Sequence, residues 1–453
     1  MSELNCFFPP CKIQKISVQT FAYLPCWGLF SHNRKFFPTF AIYFKVACMS
    51  KKIVIIGGGA AGFFAAQLHK TWFPAHQVLI LEQSAQVLKK VKISGGGRCN
   101  VTHACFDVNK LVQFYPRGGD FLKEPFQTFQ PKDMVKWLAQ KGVPTKTEAD
   151  GRMFPRSNQS QTIVDCLYKG AIEAGVELHL QMPVQGLVQK DKKWEILLKN
   201  GKNITADKVL ISAGSSPAVW KWLAPLGVEI VPPVPSLFTF EIQDARLEGL
   251  AGIALEKARA EIPQTDLAEE GALLITHWGL SAPAILRLSA WGARQLAEKN
   301  YQFELKVNWS GESPDKVLTE LKEKRDLWNK KAVAANPLYG LPARLWKSLM
   351  AFLEIDEKLK WAQISKKDLA ALHQELTSAT FQVKGKSTFK DEFVTAGGVA
   401  LHQISNRTLA HKTLPSLYFA GEVLDIDAIT GGFNFQAAWT TAFLAARAMG
   451  ESC

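Results

Sequence analysis

The sequence predicts an α/β fold in which a parallel sheet is interrupted by a small β-barrel and a helical subdomain. Three observations predict it. Ile53-Val54-Ile55-Ile56 reads as a strand buried on both faces, and it runs directly into Gly57, Gly59 and Gly62 in G-x-G-x-x-G spacing. A second apolar run, Val78-Leu79-Ile80-Leu81, ends in Glu82, twenty residues past Gly62. Glycine turns of the same kind return near the end of the chain, at Gly421 and Gly431-Gly432, beyond a stretch of different texture.

The opening strand, loop and helix carry a dinucleotide fingerprint. Gly57 permits the tight turn, Gly59 lets the backbone approach a pyrophosphate, and Gly62 lets helix and strand pack closely. The helix through Phe63–Leu68 then points free N–H groups and a partial positive charge at the anion. Glu82 is placed to accept hydrogen bonds from ribose hydroxyls. A lone glycine motif means little; strand, loop, helix, strand and terminal acid in that order specify a nucleotide site.

With 453 residues and 47% hydrophobic composition the chain is expected to hold two or three domains with sizeable cores. No apolar run reaches the ~20 residues of a membrane span. The net charge is +13, but beyond residue 48 no Lys/Arg run exceeds two residues, so an electropositive face is expected rather than a nucleic-acid strip. Eight cysteines are spread without a C-x-x-C, which argues against a zinc site or dithiol centre and for free thiols in a reducing, cytoplasmic setting. Four of them, Cys6, Cys11, Cys26 and Cys48, fall in residues 1–48, an aromatic segment with no clean periodicity. Met49 reads as a natural start just before the first strand. Residues 1–48 are therefore expected to be a non-native or disordered extension rather than a targeting peptide.

Next in order, Ser94-Gly95-Gly96-Gly97-Arg98-Cys99-Asn100 is too glycine-rich to be mere linker, because ordering glycine costs the most entropy. It suits backbone passing close to a ligand, with Arg98 able to pair with a phosphate and Asn100 with a ring edge or sugar. Residues 131–142 form a helix with proline near its start and glycine at its end. Arg152 and Arg156 in the following turn reach either a substrate acid or a phosphate, or lie on solvated surface. A helix over Gln161–Gly175 precedes strands Val176–Leu180, Val184–Gln189, Trp194–Leu198 and Ala206–Ile211. The backbone at Val184 is placed to meet an adenine ring. The last strand ends in Ser212-Ala213-Gly214, a turn of the kind that binds ligands at a sheet's carboxyl edge.

Pro232-Pro233-Val234-Pro235 marks a boundary. Short strands follow at Leu237–Ile242, Ala258–Ile262, Gly271–Thr276 and Phe303–Val307, as in a small barrel or sandwich. The turn Thr276-His277-Trp278-Gly279-Leu280-Ser281 leads into a helix over Ala284–Leu296. His277 reads either as an acid/base or as a structural histidine bonded to backbone. Residues 314–377 are helical in pattern, with Trp328, Trp346, Trp361, Leu345, Leu349 and Phe352 as their core. Leu417–Ala420 is then another buried strand, ahead of Gly421-Glu422 and of Gly431-Gly432-Phe433-Asn434, which opens a helix to Ala448. That second glycine turn aims N–H dipoles at the electron-rich edge of a flavin.

These residues together resemble the BaiN/YhiN-like family of NAD(P)/FAD-dependent oxidoreductases, some of them aminoacetone-oxidase-like. The resemblance covers about residues 51–449. It rests on Ile-Ser-Gly-Gly-Gly-Arg-Cys-Asn-Val-Thr (93–102), Thr-His-Trp-Gly-Leu-Ser (276–281), Asp-Glu-Phe-Val-Thr-Ala-Gly-Gly-Val (391–399) and the two glycine turns within 421–439. It departs from the family at Leu88, Lys92, Ala282 and Phe435. The resemblance implies a glutathione-reductase-type FAD-binding Rossmann-like domain with an inserted barrel and helical subdomain. The expected order is FAD domain 49–235, barrel 236–312, helical subdomain 313–378, barrel return strand 379–390, and FAD domain again 391–453. It further implies FAD held by Gly57, Gly59, Ala60, Ala61, Gly62, Glu82, Gln83, Lys90, Ser94–Asn100, Val184, Ala213, Gly214, Gly421, Glu422 and Gly431–Asn434. No metal is expected.

The function expected from this is an FAD-dependent oxidoreductase, reduced by NAD(P)H and passing electrons to a small organic substrate or oxygen. No second complete glycine motif offers a separate nicotinamide domain. The alternatives are an RNA-modifying flavoprotein, drawing on the positive charge, and a non-catalytic FAD-binding partner module. Nucleic acid is the less expected partner, because no arginine–aromatic stacking strip is visible.

Overall fold

The computed structural model describes residues 50–387 and 394–451. The expectations for residues 1–48, for 388–390 of the return strand and for Asp391-Glu392-Phe393 fall outside the described residues. The elements that build the fold are, in chain order, β1 (Lys52–Ile56), α1 (Ala60–Trp72), β2 (Gln77–Leu81), α2 (Lys89–Gly97), α3 (Ser160–Glu173), β3 (Glu177–His179), β4 (Lys208–Ile211), β5 (Ile230–Ser236), β6 (Thr239–Ile242), β7 (Ala254–Glu261), β8 (Ala268–Ile275), β9 (Gly279–Ser281), α4 (Pro283–Trp291), β10 (Phe303–Asn308), β11 (Ala379–Ser387), β12 (Val394–Val399), β13 (Leu417–Phe419) and α5 (Phe433–Glu451).

The central sheet runs β13-β4-β1-β2-β3, with every neighbouring pair parallel. Its middle strands are apolar without alternation because both faces are covered. Helices α1 and α5 pack along each other through Phe64, which meets Trp439 and Trp137 edge-on at 5.4 and 4.9 Å. At Gly450 a Cβ would lie 1.9 Å from the Phe73 ring, so glycine sets how closely the two helices approach. His69 is buried in this seam, bonded to the Ala446 carbonyl and to His76 at 2.8 and 2.9 Å.

This is the α/β Rossmann-type architecture expected, with local differences. Helix α1 begins at Ala60 rather than Phe63, because Gly59 already sits in the capping position. The run Ala206–Ile211 is not one strand. Residues Asn203–Ala206 belong to an antiparallel sheet, and β4 starts at Lys208. Asp207, at the break, accepts the Lys52 N–H at 2.7 Å and hands the chain to β1. The predicted loop at 94–100 is in part α2, whose turn unwinds at Ser94, Gly95 and Gly96. The helix expected over Ala284–Leu296 breaks at Gly292, where a Cβ would lie 2.6 Å from Leu267.

The inserted segment closes into a six-stranded antiparallel barrel, β6-β9-β8-β7-β10-β11. Ala379, Phe381 and Val383 alternate inward along β11, as a half-buried strand requires. The barrel joins the sheet through the pair β5–β12, whose register slips between Val231 and Val234 at Pro232-Pro233. Opposite that bulge Gly397 has φ +118°, and a Cβ there would lie 2.6 Å from the Pro232 carbonyl oxygen, so only glycine fits. Helices over Pro314–Leu327, Ala343–Phe352 and Lys366–Ser378 share one apolar core with the barrel, in which Trp346 and Trp361 are fully buried. Phe352 is not part of it: the residue is half-exposed, its ring 4.4 Å from the Arg246 guanidinium. Arg246 in turn pairs with the buried Glu375 at 3.0 Å and with Asp244 at 2.7 Å.

Candidate functional site

A cavity of about 970 Å³ opens where β1, β2, β4 and β13 end and extends along the outer face of the barrel. Carboxyl edges of parallel strands are where such sheets bind ligands, because turn and helix N–H groups converge there. The first wall is the turn Gly57–Ala61. Gly57, at φ +113°, presses against the Ser212 carbonyl, and Gly62 against the Gly57 carbonyl, where added Cβ atoms would lie 2.5 and 2.1 Å away. Gly59 differs: its backbone is extended, and a Cβ there would meet no protein atom within 4 Å. No side chain caps α1, and its first turn holds no acid, so its leading N–H groups face the cavity uncommitted.

Glu82 and Gln83 form the wall after β2. The Glu82 carboxylate is fixed by the Gly58 and Ser84 N–H groups, each at 2.8 Å. Across from it Lys90 reaches Glu422 at 2.6 Å and Ser215 at 3.3 Å, tying α2 to the turns after β13 and β4. Ser94, Gly95, Gly96, Asn100, Ala213, Gly214, Gly421, Gly431, Gly432 and Asn434 also line the space. Segments separated by more than 300 residues in sequence thus meet around one cavity.

Some of these residues do other work than expected. The Asn434 amide braces its own turn, bonding the Ala428 N–H and carbonyl at 3.0 and 2.9 Å. Asn100, with its amide oriented to satisfy both ends, accepts from Gly432 at 3.0 Å and donates to Thr102. Six expected residues do not line the cavity. Gly62 packs behind it, and Gly97 faces open space. Arg98 is drawn off by Glu148 at 2.7 Å and lies over the Phe154 ring at 4.1 Å. Cys99 is buried, and burial pushes its thiol up to about 12, which keeps it protonated and inert. Val184 opens a strand of the outlying antiparallel sheet. Phe433 clusters with His103 and Phe114, with centroids at 4.5 and 4.4 Å, and its ring packs against Gly431 of the glycine turn.

Sequence reasoning missed the barrel side. Leu237, Phe238, Thr239, Leu274, Ser281 and Leu286 complete the cavity there. The signal was partly present, since Thr276–Ser281 stood out as a motif. His277, however, is exposed and makes no hydrogen bond among the described residues, while Thr276 and Ser281 face the cavity. Arg152 reaches it too, its charge met by Asp150 at 2.6 Å and Glu148 at 3.1 Å. Among the described residues no group of His, Cys, Asp and Glu side chains is placed to hold a metal. No described helix is long and apolar enough to cross a membrane.

The model of the HI0933-like protein Rossmann domain matches residues 51–448. The chain belongs to the HI0933-like family. HI0933-like domains are the FAD-binding Rossmann domains of the BaiN/YhiN family. Two relatives align along nearly their whole length. The ribosomal RNA dihydrouridine synthase of Escherichia coli K12 is 29% identical over 412 residues, 87% of this chain and 96% of its own. The 3-dehydro-bile acid delta(4,6)-reductase of Clostridium scindens is 26% identical over 414 residues, 88% of this chain and 99% of its own. Among solved structures, the 3-ketosteroid-delta4-(5alpha)-dehydrogenase of Rhodococcus jostii RHA1 matches at a TM-score of 0.46 and 14% identity, covering 89% of this chain and 98% of that one. The HI0933-like cavity has the donor set that FAD requires: uncapped N–H groups for the pyrophosphate, a fixed carboxylate for a ribose, and unfilled space at Gly59.

Proposed function

We propose that this protein is an FAD-dependent reductase, charged by NAD(P)H, that saturates a carbon–carbon double bond conjugated to a carbonyl. The supporting observation is one cavity with two unlike halves, a backbone-lined nucleotide groove and an apolar chamber on the barrel side. The names of the two relatives describe one chemistry. Dihydrouridine is uridine with its carbonyl-conjugated ring double bond reduced, and a bile acid delta(4,6)-reductase acts on double bonds conjugated to the 3-oxo group.

Bound FAD supplies hydride exchange, which is why the site needs no protein nucleophile. The protein's part is to bind, orient and exclude water. The α1 N-terminus would hold the pyrophosphate, and Glu82 the adenosine ribose. The start of α5, with Gly431 and Gly432, offers a positive dipole end to the negative charge of a reduced ring. Leu237, Leu274 and Leu286 line the cavity and would exclude water from a flavin bound there. The sequence has no second complete G-x-G-x-x-G, so NAD(P)H would reach a bound flavin through the same cavity.

Anaerobic addition of NADPH, then NADH, to the purified protein tests the reading. The yellow band is expected to bleach with one of them and return on adding a conjugated enone. A band that bleaches with neither, or that returns with oxygen but with no enone, counts against it. An RNA substrate is the second reading, favoured by the name of the Escherichia coli relative and the net charge of +13. Mass spectrometry of ribosomal RNA from cells with and without the gene decides it, by loss or retention of a dihydrouridine.

A further inference from the structure

We propose that the barrel side of the cavity is a chamber for an uncharged carbonyl compound, and that the Ser281 hydroxyl, set by Thr239, holds its carbonyl oxygen. The proposal rests on the reductase reading above for its choice of ligand class. It extends that reading by naming the recognising atom, Oγ of Ser281, and the kind of molecule it selects.

Strand pairing brings the two hydroxyls together. Strands β6 and β9 pair with Phe240 opposite Leu280, which sets Thr239 beside Ser281 at the cavity edge. Thr239 Oγ1 donates to Ser281 Oγ at 2.8 Å. The Ser281 hydroxyl then has its own proton left, and it donates to no protein atom among the described residues. Thr276, the neighbouring hydroxyl, is spent: it donates to the Gly279 carbonyl at 3.1 Å and accepts the Trp278 and Gly279 N–H groups, each at 3.2 Å. The walls around the pair are Leu237, Phe238, Leu274 and Leu286, all without charge. Ser387 of β11, opposite Thr239, also lines the chamber. A largely apolar chamber with a few hydroxyls selects an apolar molecule with few acceptors. An anion is disfavoured, since two of the cations on the lining are already paired with carboxylates, Arg152 with Asp150 and Glu148 and Lys90 with Glu422. A hydrogen bond from a hydroxyl that itself accepts one is strengthened by polarisation, which is what the Thr239 bond supplies.

The backbone holds Ser281 in place. Ala282, the next residue, has φ +77° and ψ 178°, a conformation that L side chains rarely adopt, and it turns the chain sharply into α4. The turn fixes Ser281 at the end of β9, where it pairs with Leu274 of β8.

The test is equilibrium binding of decalone, a saturated bicyclic ketone, to the oxidised FAD-loaded protein by calorimetry, so that no turnover enters. Ser281→Ala is expected to weaken binding about tenfold and Thr239→Val about threefold, the range of one hydrogen bond and of its support. The double variant is expected to match Ser281→Ala, since Thr239 acts through Ser281. Ser281→Thr keeps the hydroxyl and is expected to restore binding. Flavin content and melting temperature of each variant verify the fold. Unchanged affinity in a folded Ser281→Ala protein overturns the proposal, as does failure of the unaltered protein to bind decalone. Turnover of the conjugated octalone is measured separately. Its failure with ketone binding intact refutes the reductase reading and leaves the chamber standing.

Discussion

Gly59→Ala separates the two roles that glycine plays in the nucleotide turn. At Gly59 the backbone is extended, with φ −91° and ψ −167°, and no protein atom lies within 4 Å of where a Cβ would sit. Alanine therefore adds neither strain nor clash to the cofactor-free protein. By restricting the unfolded chain it stabilises the fold by about 0.5 kcal/mol. The same methyl occupies the space that a pyrophosphate needs to reach the N–H groups of α1. Losing two such charge-assisted hydrogen bonds costs about 3 kcal/mol, or about a hundredfold in affinity for FAD. Stability without cofactor and affinity for it thus move in opposite directions. At Gly57 and Gly62 they fall together, because a Cβ there would meet the backbone oxygens of Ser212 and Gly57. The assay is thermal unfolding of the apoprotein beside fluorimetric titration with FAD. A Gly59→Ala protein that binds FAD as tightly as the unaltered one, or whose apoprotein melts several degrees lower, refutes the reasoning.

Four further outcomes are expected. Gly96→Val places a β-branched residue at φ +65° on the cavity wall and should leave the purified protein colourless; wild-type flavin stoichiometry would contradict this. Ala282→Gly relieves a conformation costing on the order of 1–3 kcal/mol, offset by about 0.5–1 kcal/mol of glycine entropy, so the melting temperature should rise and a fall would count against it. His69 is held neutral by burial, its pKa lowered from 6.5 to about 4, so unfolding takes up a proton in acid. Its contribution is complete above pH 6.5, is lost as pH falls toward 4, and amounts to at most about 3 kcal/mol; a His69→Gln variant should show a flatter stability–pH curve over that window. Arg246→Met strands the buried Glu375 and should cost about 3–5 kcal/mol in denaturant titration, while the double change with Glu375→Leu should recover most of it.

What was legible in the sequence is what depends on neighbours in the chain. Four successive apolar residues, a glycine triplet at fixed spacing and an acid after the next strand sufficed for the sheet and for α1. The hidden features all depend on residues far apart. The strand break at Asp207 answers to the N–H of Lys52, 155 positions away. Arg98 looked like a phosphate ligand because nothing in its own segment names Glu148 as its partner. Phe352 fits a helical core by spacing, yet Arg246 from the barrel draws it outward. The barrel side was the least readable. Thr239, Leu274 and Ser281 are ordinary residues on three neighbouring strands, and it is the pairing of β6 with β9, remote in sequence, that puts Thr239 beside the other two.

That contrast bears on how the site divides its work. The nucleotide half is built largely from backbone, so its demands appear as glycines and tolerate little change. The barrel half is built from side chains on strands whose inward and outward positions alternate. A substitution at Leu274 or Leu286 alters the shape of the chamber without touching the turns that face the nucleotide. Leu274→Ala should therefore change which ketones bind while leaving FAD content and its reduction by pyridine nucleotide intact. If ketone preference and flavin content instead change together, the two halves are one unit and the division fails.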